Sequence, residues 1–160
     1  MEEPINKNER YARIMMTFPL LSGFTVHGTQ MLLDAGVVRE YCAGEAVCAE
    51  GEVSTSTLLI LSGKLQAYTE REGTRVVFRE CAPGTILGEI GVTCDMPRTA
   101  SVRASESSEV LQWSADVFRS LLLRSALLAE RIHQHSLRSL VEKEHTLIAE
   151  GIQTRPRPTA

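Results

Sequence analysis

Between Val37 and Ser114 the sequence breaks into short apolar or alternating runs, at 58–61, 65–68, 76–78 and 110–113, separated by Ser62-Gly63, Arg71-Glu72-Gly73 and Pro83-Gly84. Such runs are too short for helices, and the glycines between them suit tight turns between strands. Strands this short must bury their apolar side against a second sheet or by closing on themselves. The segment therefore reads as a closed or double-sheet β-barrel of the jelly-roll kind. On either side the periodicity becomes helical. In residues 5–36, Tyr11, Ile14 and Met15 share one face, Met31, Leu32 and Leu33 precede Ala35-Gly36, and Pro19 with Ser22-Gly23 divides the stretch into two short helices. Residues 115–149 contain neither proline nor glycine and read as two helices, the second long, with Gly151 as its stop. The expected class is α+β: a jelly-roll-like antiparallel β-barrel over 37–114, flanked by short N-terminal helices and a long C-terminal helix. This makes one domain over 1–150, with 151–160, including Arg155-Pro156-Arg157-Pro158, as a flexible tail.

Composition narrows the function classes. A chain of 160 residues suffices for one domain with a proper core and is too short for two ordinary ones. The net charge of −3 gives no electrostatic reason to expect nucleic acid. No run approaches the roughly 18 apolar residues of a membrane span, so no membrane partner is expected. Met1-Glu2-Glu3-Pro4 is acidic where a secretory signal would be basic and then apolar, which points to the cytoplasm.

Gly88-Glu89-Ile90-Gly91 and Pro97-Arg98-Thr99-Ala100-Ser101 set a carboxylate and a guanidinium a short loop apart among small residues. A guanidinium grips a phosphate through parallel charge-assisted hydrogen bonds. Glycines beside the carboxylate let backbone N–H groups approach the same phosphate. The pair suits a small anionic ligand. A surface salt bridge would leave the glycines unexplained.

On these residues the chain resembles the cyclic nucleotide-binding domain family, which includes the catabolite activator protein, the regulatory subunits of protein kinase A and cyclic-nucleotide-gated channels. The resemblance runs from about Phe18 to Leu140. Tyr41-Cys42-Ala43-Gly44-Glu45 and Glu50-Gly51-Glu52 look like the family's early barrel turns, and Leu59-Ile60-Leu61-Ser62-Gly63-Lys64-Leu65 like its next strand, turn and strand. Ser101-Val102-Arg103-Ala104 and the stretch from Trp113 to Phe118 look like the barrel's exit and following helix. The resemblance implies that Glu89 accepts from the ribose 2′-hydroxyl and that Arg98 pairs with the cyclic phosphate. Gly88, Ile90, Gly91, Thr99 and Ala100 then complete the ligand-binding cradle. One departure stands out: where the family often has an aspartate that orients the cassette arginine, this chain has Val53-Ser54-Thr55.

The implied ligand is cyclic AMP (cAMP) or cyclic GMP (cGMP), without metal or other cofactor. A hydroxyl at Thr99 can reach the amino group of a syn guanine or simply support the phosphate; cAMP is favoured on its broad use in free-standing bacterial members. The expected protein is not an enzyme but a sensor. Its C-terminal helix caps the bound base and reorients toward an effector protein or a second copy, as a homodimer. The alternative is a degenerate fold that serves as a ligand-independent interaction scaffold.

Leu127, Leu128, Ile132, Leu137, Leu140, Val141, Leu147 and Ile148 form one apolar stripe. Core packing accounts for Leu127 to Ile132. Leu137 to Ile148 is read as a partner-facing seam with Glu142 and Lys143 at its rim, since a solvated face would not keep that much apolar area. Too few residues follow Gly151 for a helix-turn-helix. A metalloenzyme on a similar barrel would need histidines on its strands, whereas those here are His27, His133, His135 and His145. Cys42, Cys48, Cys81 and Cys94 form no C-x-x-C pair and read as small packing residues, with a redox sensor as the minority reading.

Overall fold

Both faces of strand β3 (Ser56–Ser62) are covered, which is why the run at 58–61 is apolar throughout instead of alternating. Leu58 and Ile60 join a cluster with Leu65, Ala67, Val102 and Val110. Leu59 and Leu61 join a second with Leu111, Trp113 and Phe118. Leu59, Ile60 and Leu61 are at most 2% exposed, and burying each side chain stabilises the fold by about 1.5–3 kcal/mol.

The computed structural model describes residues 6–151. Residue 5, at the start of the expected first helix, and residues 152–160 of the expected tail lie outside the described residues. The strands form two four-stranded antiparallel sheets. One runs β1 (Val37–Tyr41), β8 (Ser108–Ser114), β3, β6 (Ile86–Leu87); the other runs β2 (Ala46–Cys48), β7 (Ser101–Ala104), β4 (Leu65–Arg71), β5 (Thr74–Cys81). Register places Leu58 opposite Gln112 in the first sheet and Ala67 opposite Val102 in the second. The inner faces meet in the cluster around Leu58 and Val110. Of the two expected forms, closed or double-sheet, the chain adopts the second.

Helices cover the outer face of the β3 sheet. Helix α1 (Lys7–Met15) is capped by Asn6 and buries Tyr11 and Met15; α2 (Val26–Asp34) is capped by Thr25. The Trp113 indole N–H donates to the Leu32 carbonyl at 2.8 Å, locking α2 to β8. After β8 come a short helix, α3 (Glu89–Thr93) having preceded it, and a long one: α4 (Ala115–Arg124) and α5 (Ala126–Ala149). The break between the last two is Ser125, extended at φ −132°, ψ 102°, whose side chain accepts from the Leu128 N–H. A capping serine thus divides the two helices without glycine or proline.

The first half of α5 is pinned. Leu128 and Ile132 are buried, and the Arg131 guanidinium donates to the carbonyls of Pro19, Leu20 and Ser22. Leu127, expected in the core, is 37% exposed. The second half of α5 crosses β5, where Arg79 meets Ser139 and Glu142. It turns Leu147 inward, to 7% exposure, while Leu137, Val141 and Ile148 stay exposed. The expected partner seam therefore loses Leu147, because the side of the helix that carries it packs against the protein's own surface.

Candidate functional site

Gly88 ends β6 in the left-handed region, at φ +81°, and so turns the chain into α3. A Cβ there would lie 2.2 Å from Arg98 Nη1 and 3.0 Å from the Ser56 carbonyl. At Gly91 a Cβ would lie 1.9 Å from Ser54 Oγ. The sequence suggests glycines that clear space for a phosphate; in the structure the space at Gly88 admits the arginine itself, and that at Gly91 admits Ser54. Close approach of protein to protein is what demands glycine at both positions.

The segment before β3 holds the arginine loop from the other side. The Arg98 N–H donates to the Glu52 carbonyl at 2.8 Å, Gly51 N–H to the Arg98 carbonyl at 2.9 Å, and Ser54 Oγ to the Met96 carbonyl at 2.7 Å. The guanidinium Nη2 donates to Ser56 Oγ at 3.1 Å. Two serines from 53–56 thus position this loop where the expected aspartate is missing. Arg98 is only 8% exposed, yet among the described residues no salt bridge includes it. A buried guanidinium without a carboxylate is costly to leave so, and an anion would satisfy it.

Glu89, the first residue of α3, is 3% exposed. Burial pushes its carboxyl up to about 6, against the opposing pull of hydrogen bonds from its own backbone and Ser136 and of the nearby Arg79 and Arg98 charges. Ser136 Oγ donates to Oε1 at 3.3 Å, and His135 Nε2 lies 3.8 Å from the same oxygen. His135 Nε2 also lies 2.9 Å from the Ile86 carbonyl, which assigns the proton to that nitrogen. Burial lowers the imidazole pKa, so the ring is neutral at pH 7.

Gly88, Glu89, Ile90, Gly91, Arg98, Thr99 and Ala100 all line one cavity of about 70 Å³. It is also lined by Leu58, Ala67 and Val102 from the inner core, by Phe78 and Arg79 from β5, and by Ser139, Leu140 and Lys143 from α5. Sequence reasoning put Lys143 and Glu142 at the rim of a helix pair. Instead Lys143 Nζ donates to the Thr99 carbonyl, and Glu142 lies 3.6 Å from Arg79. Ser54, Ser56, Ser136, His135, Arg79 and Lys143 went unnoticed as site residues, since none carries a local signal of its own. A broader depression beside α1 and β1 is open to solvent, and its Lys7 is paired with Glu40 at 3.0 Å.

Cys48 lines the cavity wall and Cys81 is buried nearby; burial raises both thiols, Cys81 to about 11. Neither is a reactive thiolate at neutral pH. Among the described residues no group of His, Cys, Asp and Glu is arranged to hold a metal ion, and no helix is long and apolar enough to cross a membrane.

The fold is a double-sheet β-roll in which a buried guanidinium and a buried carboxylate line one cavity, groups that can pair with an anion and accept from a hydroxyl. Comparison with known proteins gives this fold its family. The family model of the cyclic nucleotide-binding domain matches residues 38–125, more than half of the chain, and the protein belongs to this family. It is 29% identical over 122 residues to the cAMP-dependent protein kinase regulatory subunit of Emericella nidulans, covering 76% of this chain and 29% of that one. The chain spans about a quarter to a third of the length of the first curated relatives it matches. Among solved structures it is similar to the Thermus thermophilus catabolite activator protein, with a TM-score of 0.73 and 25% identity, covering 83% of this chain and 63% of that one. It also shares the fold of the regulatory subunit of a cAMP-independent protein kinase A from Trypanosoma cruzi bound to guanosine, at TM-score 0.74 and 19% identity over 90% and 51% of the two chains.

Proposed function

We propose that this domain, taken as one unit over 1–150, is a non-catalytic sensor that binds a cyclic nucleotide and passes the signal through α5. The observation that carries this reading is Arg98: buried, free of any carboxylate partner among the described residues, and lining a cavity that α5 also lines. In this reading the cyclic phosphate pairs with Arg98, the ribose hydroxyl donates to Glu89, and backbone groups of Ile90, Gly91 and Thr99 with Ala100 close the cradle. The kinship to cAMP-dependent kinase regulatory subunits supports a regulatory role. Free cysteines fit a reducing compartment such as the cytoplasm.

The cavity itself supports movement of α5. At about 70 Å³ it is far below the roughly 300–1,000 Å³ of ordinary ligand sites. A nucleotide enters only when α5 lifts from about Ser136 onward, breaking the Ser136–Glu89 and Lys143–Thr99 contacts. The lift exposes a changed surface to an effector protein or a second copy, and the ligand drives it only by binding the lifted state more tightly. The same small volume also favours the second reading, a ligand-independent scaffold.

One titration separates the two. Thermal unfolding is followed with increasing cAMP or cGMP; at a hundredfold above the dissociation constant, binding stabilises the fold by about 2.7 kcal/mol. Stabilisation in the parent and none in Arg98→Ala is the expected result. No shift with either nucleotide would leave the scaffold.

A further inference from the structure

Glu89 and His135 meet in the interior from two different elements, α3 and α5, with side chains 4% and 18% exposed. Among the described residues His135 is the only basic side chain within 4.0 Å of the Glu89 carboxylate. Its Nε2–H is given to the Ile86 carbonyl at 2.9 Å, which leaves Nδ1 as the nitrogen able to take a proton. The next residue, Ser136, donates to Glu89 Oε1. One stretch of α5 therefore covers both groups, and the lift that admits a nucleotide begins at that stretch and uncovers both. Burial disfavours the charged form of each, so the dry pair is most stable as a neutral carboxyl beside a neutral imidazole. In water the imidazole, at an ordinary 6.5, holds a proton more tightly than the carboxyl, at an ordinary 4.5.

We propose that lifting α5 passes a proton from Glu89 to His135 and so leaves the carboxylate ionised to receive the ribose hydroxyl. This rests on the cyclic nucleotide reading above. The O–H bond of the carboxyl breaks, an N–H bond forms at Nδ1, and water carries the proton between them. The surroundings of the closed pair set the direction. Burial is the largest influence on both groups, raising the carboxyl to about 6 and lowering the imidazole. Arg79 from β5 and Arg98 from the loop before β7 favour an ionised Glu89. Arg79 and Arg138 oppose a charge on His135, and Glu142 favours one. The nearby Cys81 thiol, raised to about 11 by burial, stays neutral throughout. Release at one group and uptake at the other nearly cancel, so binding near pH 6 exchanges few protons with solvent although a buried acid is uncovered.

Calorimetric titration of the full chain with cAMP and cGMP at pH 6, in two buffers of different protonation enthalpy, counts the protons that accompany binding. The parent should exchange close to none. His135→Gln keeps a donor for the Ile86 carbonyl but cannot take a proton, so its binding should release about half a proton. Its affinity should fall about fourfold from pH 7.5 to pH 5.5, while that of the parent does not fall. Half a proton released by the parent, or no release by the variant, would overturn the proposal and leave nucleotide binding in place. Absence of binding heat and of thermal stabilisation with both nucleotides would remove the cyclic nucleotide reading and the proton transfer together. Should His135→Gln fail to fold, the imidazole itself decides. Its NMR titration midpoint in the parent should rise when nucleotide binds, and a midpoint that stays or falls would overturn the transfer.

Discussion

Ser136 Oγ donates to Glu89 Oε1 at 3.3 Å, tying the middle of α5 to the carboxylate proposed to receive the ribose. Helix and ligand compete for one acceptor. Replacing Ser136 by alanine removes the contact from the closed state, so affinity for the preferred cyclic nucleotide should rise about 2–10-fold, the worth of one modest hydrogen bond. Titration calorimetry on both proteins checks this. A fall in affinity would mean that Ser136 touches the ligand.

Arg98→Ala should cost far more affinity than stability. Two charge-assisted bonds to a phosphate at about 1.5–3 kcal/mol each predict a loss of at least a hundredfold, about 3 kcal/mol. The fold loses only a bond to Ser56 and sheds an unpaired buried charge, so its unfolding midpoint in urea should move little. Parental affinity in this variant would refute the cassette assignment.

Gly88→Ala takes no functional group away and should still abolish tight binding. Its φ of +81° disfavours a side chain by about 1–2 kcal/mol, and the new Cβ would lie 2.2 Å from Arg98 Nη1. The guanidinium must shift to relieve that contact. Both a lowered melting temperature and weaker binding are expected, and a variant that binds as well as the parent would show that Arg98 has another productive position.

The buried Glu89 makes a specific pH signature. Its carboxyl, raised to about 6 from the ordinary 4.5, holds a proton more tightly in the folded state than in the unfolded one. Stability from this group is therefore full below pH 4.5, declines as pH rises to 6, and stays lost above; at about 1.36 kcal/mol per pH unit the change is roughly 2 kcal/mol. His135, lowered by burial, slopes the opposite way, so the comparison must be by difference. Urea unfolding of parent and Glu89→Gln between pH 4 and pH 7 should show the variant gaining on the parent by that amount. Parallel curves would place Glu89 in contact with water.

Assembly is tested best at Leu137 and Val141, which are 53% and 51% exposed one turn apart, away from the inward Leu147. Charging both with glutamate should leave the fold and the nucleotide site intact, because neither lines the cavity. Sedimentation should show the parent as a homodimer at tens of micromolar and the double variant as a monomer. A monomeric parent, with and without ligand, would assign this face to an effector protein.

The sequence by itself determined the class and which residues of the β6–β7 stretch line one cavity. Gly88 to Gly91 and Arg98 to Ala100 belong to one continuous stretch from β6 to β7, where nearness along the chain becomes nearness in space. Short strands and glycine turns likewise announced an antiparallel β-roll, since turn chemistry and alternation are local properties. Only the tertiary structure decided what surrounds that stretch. Ser56 stands 42 positions from Arg98, Ser136 stands 47 from Glu89 and Lys143 stands 44 from Thr99, and no local pattern marks any of the three. The α5 stripe shows the limit most plainly. Its periodicity states that the helix has an apolar side, but not what covers it. The break at Ser125 and the grip of Arg131 on Pro19, Leu20 and Ser22 set the path of α5 over β5, and that path buries Leu147, brings Lys143 to the cavity and leaves Leu137 and Val141 in solvent.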